Sequence, residues 1–383
     1  MPTVNLVKEK YKENKTVFML LIILVAILAK IVEEAFLPDN YFYDSNRINE
    51  TVVDINYKDR WYTGSYKVAV DFFRKINVFG FTERAQWSIL LGIVMTIVLI
   101  IMFSRCEGFD IIQIFFGCMC VGLCNIYVFN ICKDSIQFMI FILIYVIVSI
   151  NKLPIWLKAI VAALLLRWES DVYKSYYIIM AFFFIVIFIA FSIIRRKRRK
   201  LTKLQYLIVV VGLFAMVYVF LFAARSMYPK DYNDIMEARN YSNEQGQNTA
   251  IKEVYEHNGN LNTFFIDYLI DSVRMMFPFE LINLGIFYLP FILFQLFMLF
   301  YLIRGIKNMD QLDDKSFIGL CMFLAYFLGS VLFEPDFGSF VRHEAATFPI
   351  IVLMVFNSTM WNPKVKEQIR REELQFQELP TDF

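Results

Sequence analysis

Histidine is almost missing from this chain: His257 and His343 are the two among 383 residues. With no H-E-x-x-H pattern either, metalloprotease chemistry built on paired imidazoles of one helix face is excluded. Cys106, Cys118, Cys120, Cys124, Cys132 and Cys321 lie mostly in or beside apolar segments. The Cys118-x-Cys120-x3-Cys124 cluster has no neighbouring His or carboxylate to complete a zinc tetrahedron, so the thiols read as ordinary buried side chains. A Gly-rich phosphate loop and a G-x-S-x-G elbow are both lacking. A net charge of +2 offers no field for nucleic acid. Ionisable groups are also few inside the long apolar runs, which argues against an ion relay and therefore against a pump or channel.

Apolar residues are what the chain has in excess. At 58% hydrophobic and 17% aromatic, with a mean hydropathy of +0.52, the expected fold class is all-α: a polytopic integral membrane protein forming a single transmembrane domain over 1–383. About ten transmembrane helices fit, at 16–33, 87–103, 110–128, 135–150, 155–166, 176–194, 204–224, 284–303, 316–332 and 343–357. The fifth is short and open to a re-entrant reading. The first follows Lys8, Lys10, Lys12 and Lys15 without a small-x-small cleavage site, which predicts a retained span.

Short-loop Lys and Arg favour the cytoplasm. Both termini, the tail at 358–383 and the block Arg195 to Lys200 are expected there, in a plasma (inner) membrane. That block reads as a topology anchor, or as a nuclear signal or an anionic-lipid switch. Two long loops, 34–86 and 225–283, then fall outside, each with a stretch at helical spacing that predicts an interfacial helix. In the first, Tyr62, Tyr66, Ala69 and Phe73 form the stripe. In the second, Phe265, Leu269 and Met276 form one stripe while Asp267, Asp271 and Arg274 fall on another, a pattern that core packing explains as well. His257 sits in the polar part of this second loop.

The candidate site residues lie in these outward segments. The first loop carries Asp44 and Arg47 three apart among tyrosines, suited to a sugar or simply to a surface ion pair. Lys133-Asp134 forms one corner, where Asp134 or Ser135 would cap the next helix. Arg167 with Glu169 and Asp171 forms another, fit for a pyrophosphate or for an Arg167–Glu169 pair. The seam Phe333 to Ile350 holds Glu334, Asp336, Arg342 and His343 between two apolar runs, where ionisable groups are costly. Turn chemistry at Pro335 and Gly338, capping by Asp336 and an Arg342–Glu334 bridge would account for the seam structurally. Glu334, Asp336 and His343 could otherwise hold a divalent metal; no other cofactor is expected.

Many spans, long outer loops rich in Tyr, Arg and acids, the Lys133-Asp134 corner and the Asp336-Phe-Gly-Ser-Phe-Val-Arg342-His343 seam resemble bacterial Wzy-type polysaccharide polymerases of O-antigen and capsule. More loosely they resemble membrane glycosyltransferases that use polyprenyl-phosphate sugar donors. The resemblance implies transfer of a growing glycan from undecaprenyl pyrophosphate to a lipid-linked repeat unit, with membrane lipids and other polysaccharide-assembly proteins as neighbours. It places Asp336 or His343 as base, with Asp44 as the acid of the first external loop. Arg342, Arg167 and Arg47 would bind pyrophosphate. A flippase or transporter of the same lipid-linked glycan, and a non-catalytic assembly protein, are the alternatives from other classes.

Overall fold

A computed structural model describes all residues except 1, 55–61, 107–108, 198–199, 231, 234–248, 253, 256–259, 335 and 357–383. His257, Pro335 and the tail at 358–383 therefore lie outside the described residues, as does much of the polar half of the second long loop. The described chain is all-α, with a single antiparallel bridge, Ala250 to Asp336, in place of any sheet. The helices are α1 (Pro2–Ala35), α2 (Tyr43–Val53), α3 (Gly64–Ile76), α4 (Arg84–Ser104), α5 (Ile111–Leu123), α6 (Lys133–Ser149) and α7 (Ile155–Val172). After them come α8 (Tyr177–Arg195), α9 (Lys203–Met227), α10 (Leu261–Met276), α11 (Leu289–Lys307), α12 (Asp314–Phe333), α13 (Phe337–Ala346) and α14 (Phe348–Ile351).

Among the described residues each of the ten expected runs holds a helix, but not every one is a straight span. Seven helices among the described residues are long and apolar enough to cross a membrane, and an eighth crossing arises if α13 and the helical stretch Phe348–Phe356, bent by 58° at their junction, count as one. α6 is shorter, at 17 residues, and the expected 155–166 run extends to 18 residues by taking in Arg167 to Val172. The expected 343–357 span is the broken pair. Pro349 in the first turn of α14 has no N–H to give to the preceding helix, so the chain re-starts there at a new angle.

Local sequence sets the helix starts. Asp110 and Gln113 exchange side-chain and backbone hydrogen bonds across the first turn of α5, and Thr202 and Gln205 do the same for α9. α12 is the central helix, 94% buried along its apolar window, whereas α9 is 17% buried and lies at the periphery. The terminal π-helical segment Val352–Phe356 packs against α12, where Gly319 permits the approach: a Cβ there would stand 2.8 Å from the Met354 backbone nitrogen. Gly319→Ala is expected to destabilise the fold by about 1–3 kcal/mol, since backbone cannot swing aside as a side chain can. Denaturation of purified protein checks this; an unchanged midpoint would mean the two segments can separate freely.

One end of the bundle gathers basic groups. Lys15 Nζ donates to the Ser104 and Cys106 carbonyls at 2.7 and 2.6 Å, and Arg195 pairs with Asp314 at 3.0 Å. The opposite end carries the C-terminus of α1, the start of α6, the end of α7 and the junction of α12 with α13. α2 and α3 cover that end, packed on one another and, through the Phe73–Trp87 edge contact at 5.2 Å, on α4.

Candidate functional site

The corners that are far apart in sequence meet at this second end. α13 begins at Asp336, whose carboxylate accepts the Ser339 N–H at 2.8 Å and the Thr249 hydroxyl at 3.3 Å. The backbone of Thr249 and Ala250, from the second long loop, straps the same turn: Phe337 N–H donates to the Thr249 carbonyl at 3.0 Å. Asp336 is thus the N-cap of α13. Asp336→Ala is expected to cost about 1 kcal/mol while Asp336→Asn leaves stability nearly unchanged. A product assay on the stable Asn variant separates capping from chemistry, since only a chemical role makes it inactive.

About two turns later, Arg342 and His343 stand next to one another in sequence but about 100° apart around the helix, so they face different partners. Arg342 Nη1 reaches Asp44 of α2 at 3.5 Å. Asp44 also meets Lys133 Nζ at 3.2 Å and accepts the Tyr66 hydroxyl of α3 at 2.5 Å, while Lys133 lies 3.9 Å above the Tyr66 ring. Burial opposes ionisation of Asp44, but Lys133, Arg342 and the Tyr66 hydroxyl outweigh it and hold the carboxyl well below its usual range. Burial, with Asp44 alongside, pushes the Tyr66 hydroxyl up to about 12.

His343 sits between two carboxylates. Its Nδ1 is 2.5 Å from Glu334 and its Nε2 is 3.3 Å from Asp134. Asp134 lies in turn 3.6 Å from Lys174, which is buried at the α7–α8 junction among Tyr173 and Tyr176. The Lys174 ammonium, Arg342 Nε and Asp134 Oδ1 are buried with no hydrogen-bond partner among the described residues. The cluster is therefore tied by charge while keeping unused donors, and its rim is open: the Arg342, Lys133, Asp44 and His343 side chains stay 14–23% exposed.

Several expectations are corrected. Arg342 bridges to Asp44, not to Glu334, which belongs to His343. Neither Asp134 nor Ser135 caps α6; Asp134 faces the His343–Lys174 cluster and Ser135 Oγ donates back to the Cys132 carbonyl at 2.8 Å. Arg167 points away from the cluster, roughly half exposed, and pairs with Asp171 instead of Glu169. Glu169 is turned inward and fully buried. Arg47 lies one turn after Asp44 with its guanidinium 5.3 Å from the Tyr43 ring centre. In α10, the stripe of Asp267 and Asp271 is buried, with Tyr268 between them donating to the Leu328 carbonyl of α12 at 2.9 Å. Among the described residues, no three His, Cys, Asp or Glu side chains are grouped to hold a metal ion, the Glu334, Asp336 and His343 set included.

Sequence reasoning passed over a second buried network beside this site. Lys30 Nζ donates to Glu33 at 2.7 Å, to Ser88 at 2.8 Å and to the Asn125 and Phe129 carbonyls at 2.6 and 2.8 Å. Glu33 also accepts from Arg84 at 2.7 Å and Asn130 at 2.6 Å. The turn it fixes, 125–130, leads directly into Lys133. The i, i+3 spacing of Lys30 and Glu33 was the available signal.

Fold and cluster together define a polytopic α-helical membrane protein with a charged, partly open site at one end of its bundle. No protein-family model matches the chain, and no curated protein or solved structure matches it either.

Proposed function

We propose that this cluster is the catalytic centre of a lipid-linked glycan polymerase, joining undecaprenyl pyrophosphate-linked repeat units at the outer face of the plasma membrane. The observation that carries the reading is the meeting of a carboxylate-held imidazole, Glu334–His343, with three cations, Arg342, Lys133 and Lys174. Short-loop Lys and Arg favour the cytoplasm, and the basic end of the bundle is the opposite one.

In this reading an acceptor sugar hydroxyl attacks the anomeric carbon of the donor glycan. With Nδ1–H donated to Glu334, Nε2 of His343 takes the hydroxyl proton once the acceptor hydroxyl enters in place of the Asp134 contact at 3.3 Å. The new C–O bond forms as the bond from the anomeric carbon to the pyrophosphate oxygen breaks, and the electron pair leaves with the lipid pyrophosphate. Arg342, Lys133 and Lys174 stabilise that charge. The Tyr41 and Tyr288 rings, 6.3 Å apart, offer apolar faces for a sugar. Asp44 sets the spacing of the two cations it touches, and Asp336 starts the helix that carries the rest.

The test is to express His343→Ala and Arg342→Ala in a strain lacking this gene and to resolve its surface polysaccharide on a gel. Loss of the base is expected to slow polymerisation by roughly 10²–10⁴-fold, leaving single repeat units. Wild-type ladders from both variants would overturn the assignment. Loss of every externally accessible repeat unit would point to a flippase instead.

A further inference from the structure

At the basic end of the bundle, a cavity of about 550 Å³ opens between α7, α8 and the turn before α12, lined by Ile155, Trp156, Ser192, Arg195, Arg196 and Asp310. The two arginines are not equivalent. Arg195 is committed to the protein: it pairs with Asp314 at 3.0 Å, donates to the Leu312 carbonyl at 2.6 Å and lies 4.7 Å from the Phe317 ring centre. Arg196 is exposed and makes no ion pair among the described residues. Asp310 has one carboxylate oxygen buried with no hydrogen-bond partner there. The cavity thus presents an uncommitted guanidinium and an unfilled acceptor.

Its surroundings are those of a lipid. Arg196 continues the stripe Phe182, Ile189 and Ile193 on the exposed face of α8, each of the three being 44–58% exposed. Trp156, Ile160 and Leu164, spaced four apart, form the matching exposed stripe on α7. The Trp156 ring meets Phe188 edge-on at 4.8 Å, which closes the groove between the two helices. Tryptophan at the end of a span, beside a basic residue, is the arrangement that sits at headgroup depth.

We infer that this groove holds one glycerophospholipid, its acyl chains along the α7 and α8 stripes and its phosphate on Arg196. The headgroup carries a hydrogen-bond donor beyond the phosphate, as in phosphoethanolamine or phosphoglycerol, and that donor meets Asp310. Phosphocholine has the same phosphate but no such donor. An Arg guanidinium suits phosphate oxygens because its planar fork contacts two of them at once.

The test is thermal denaturation of detergent-purified full-length protein with added lipid. Phosphatidylethanolamine and phosphatidylglycerol are expected to raise the midpoint by several degrees, as binding to the folded state requires, and phosphatidylcholine much less. Arg196→Gln, at an exposed position, should remove the rise for both lipids; Ser192→Asp, which adds a negative charge beside the phosphate, should do the same. Asp310→Asn should blunt the discrimination against phosphatidylcholine. An equal rise with phosphatidylcholine, or a full rise in Arg196→Gln, overturns the proposal. So does the same rise with inorganic phosphate alone, since a free anion would then be the ligand.

Discussion

Asp44→Asn is expected to slow polymer formation by about 10²-fold while leaving a folded protein of lower stability. Asp44 touches both Lys133 and Arg342, at 3.2 and 3.5 Å, and it fixes their spacing. Asparagine keeps an oxygen for the Tyr66 hydroxyl but removes the charge that lets two cations sit together. Because these side chains are partly exposed, the cost is about 1–3 kcal/mol, below that of a fully buried uncompensated charge. The effect on product is larger: cations displaced by even about 1 Å can cost on the order of 10²-fold in rate. The stability gap between wild type and variant also depends on pH in a defined direction. The folded-state carboxyl of Asp44 titrates below its ordinary value, so its contribution is complete above about pH 4 and is lost as pH falls further. Melting both proteins from neutral to acidic pH checks this. A gap that is absent at neutral pH, or that widens on acidification, would remove Asp44 from the centre of the cluster.

The positions of the long apolar helices were legible because a hydrocarbon core demands length and apolarity, and little else in a sequence meets both. The corners Lys133-Asp134 and Arg342-His343 were legible because charges beside spans are costly. Their partners were not, because pairing depends on helix phase. Glu334 is eight residues from Arg342 and looked like its mate, yet the cap at Asp336 sets a phase that turns Arg342 to Asp44 and His343 to Glu334. Lys174 left a trace only in its neighbours Tyr173 and Tyr176, whose ring centres lie 5.7 and 5.9 Å from its ammonium. The α10 stripe gave the helix correctly but not its facing: amphipathicity marks two faces without saying that Asp267 and Asp271 turn to the protein. Glu344, fully buried against Gln295, carries no periodic signal at all.

Glu33→Ala is the substitution expected to damage the fold most. Its side chain is fully buried and accepts from Lys30, Arg84, Ser88 and Asn130, so alanine strands two cations and an amide at once. Breaking a buried pair by deleting one partner costs about 3–5 kcal/mol, because the remaining charge stays desolvated. Arg84 keeps Glu34 at 3.1 Å, so Lys30 bears most of the loss. That makes the double variant informative. Lys30→Met in the Glu33→Ala background removes the stranded ammonium and fills its place with a side chain of similar length, and it should recover more than half of the lost stability. Polymer formation should not recover with it. Lys30 Nζ also holds the Asn125 and Phe129 carbonyls, and without those bonds the turn that delivers Lys133 and Asp134 to the cluster is no longer fixed. Denaturation midpoints of the two single variants and the double form a closed cycle: additive losses would show that Lys30 and Glu33 act independently, and non-additive recovery without product would show a network that places the site.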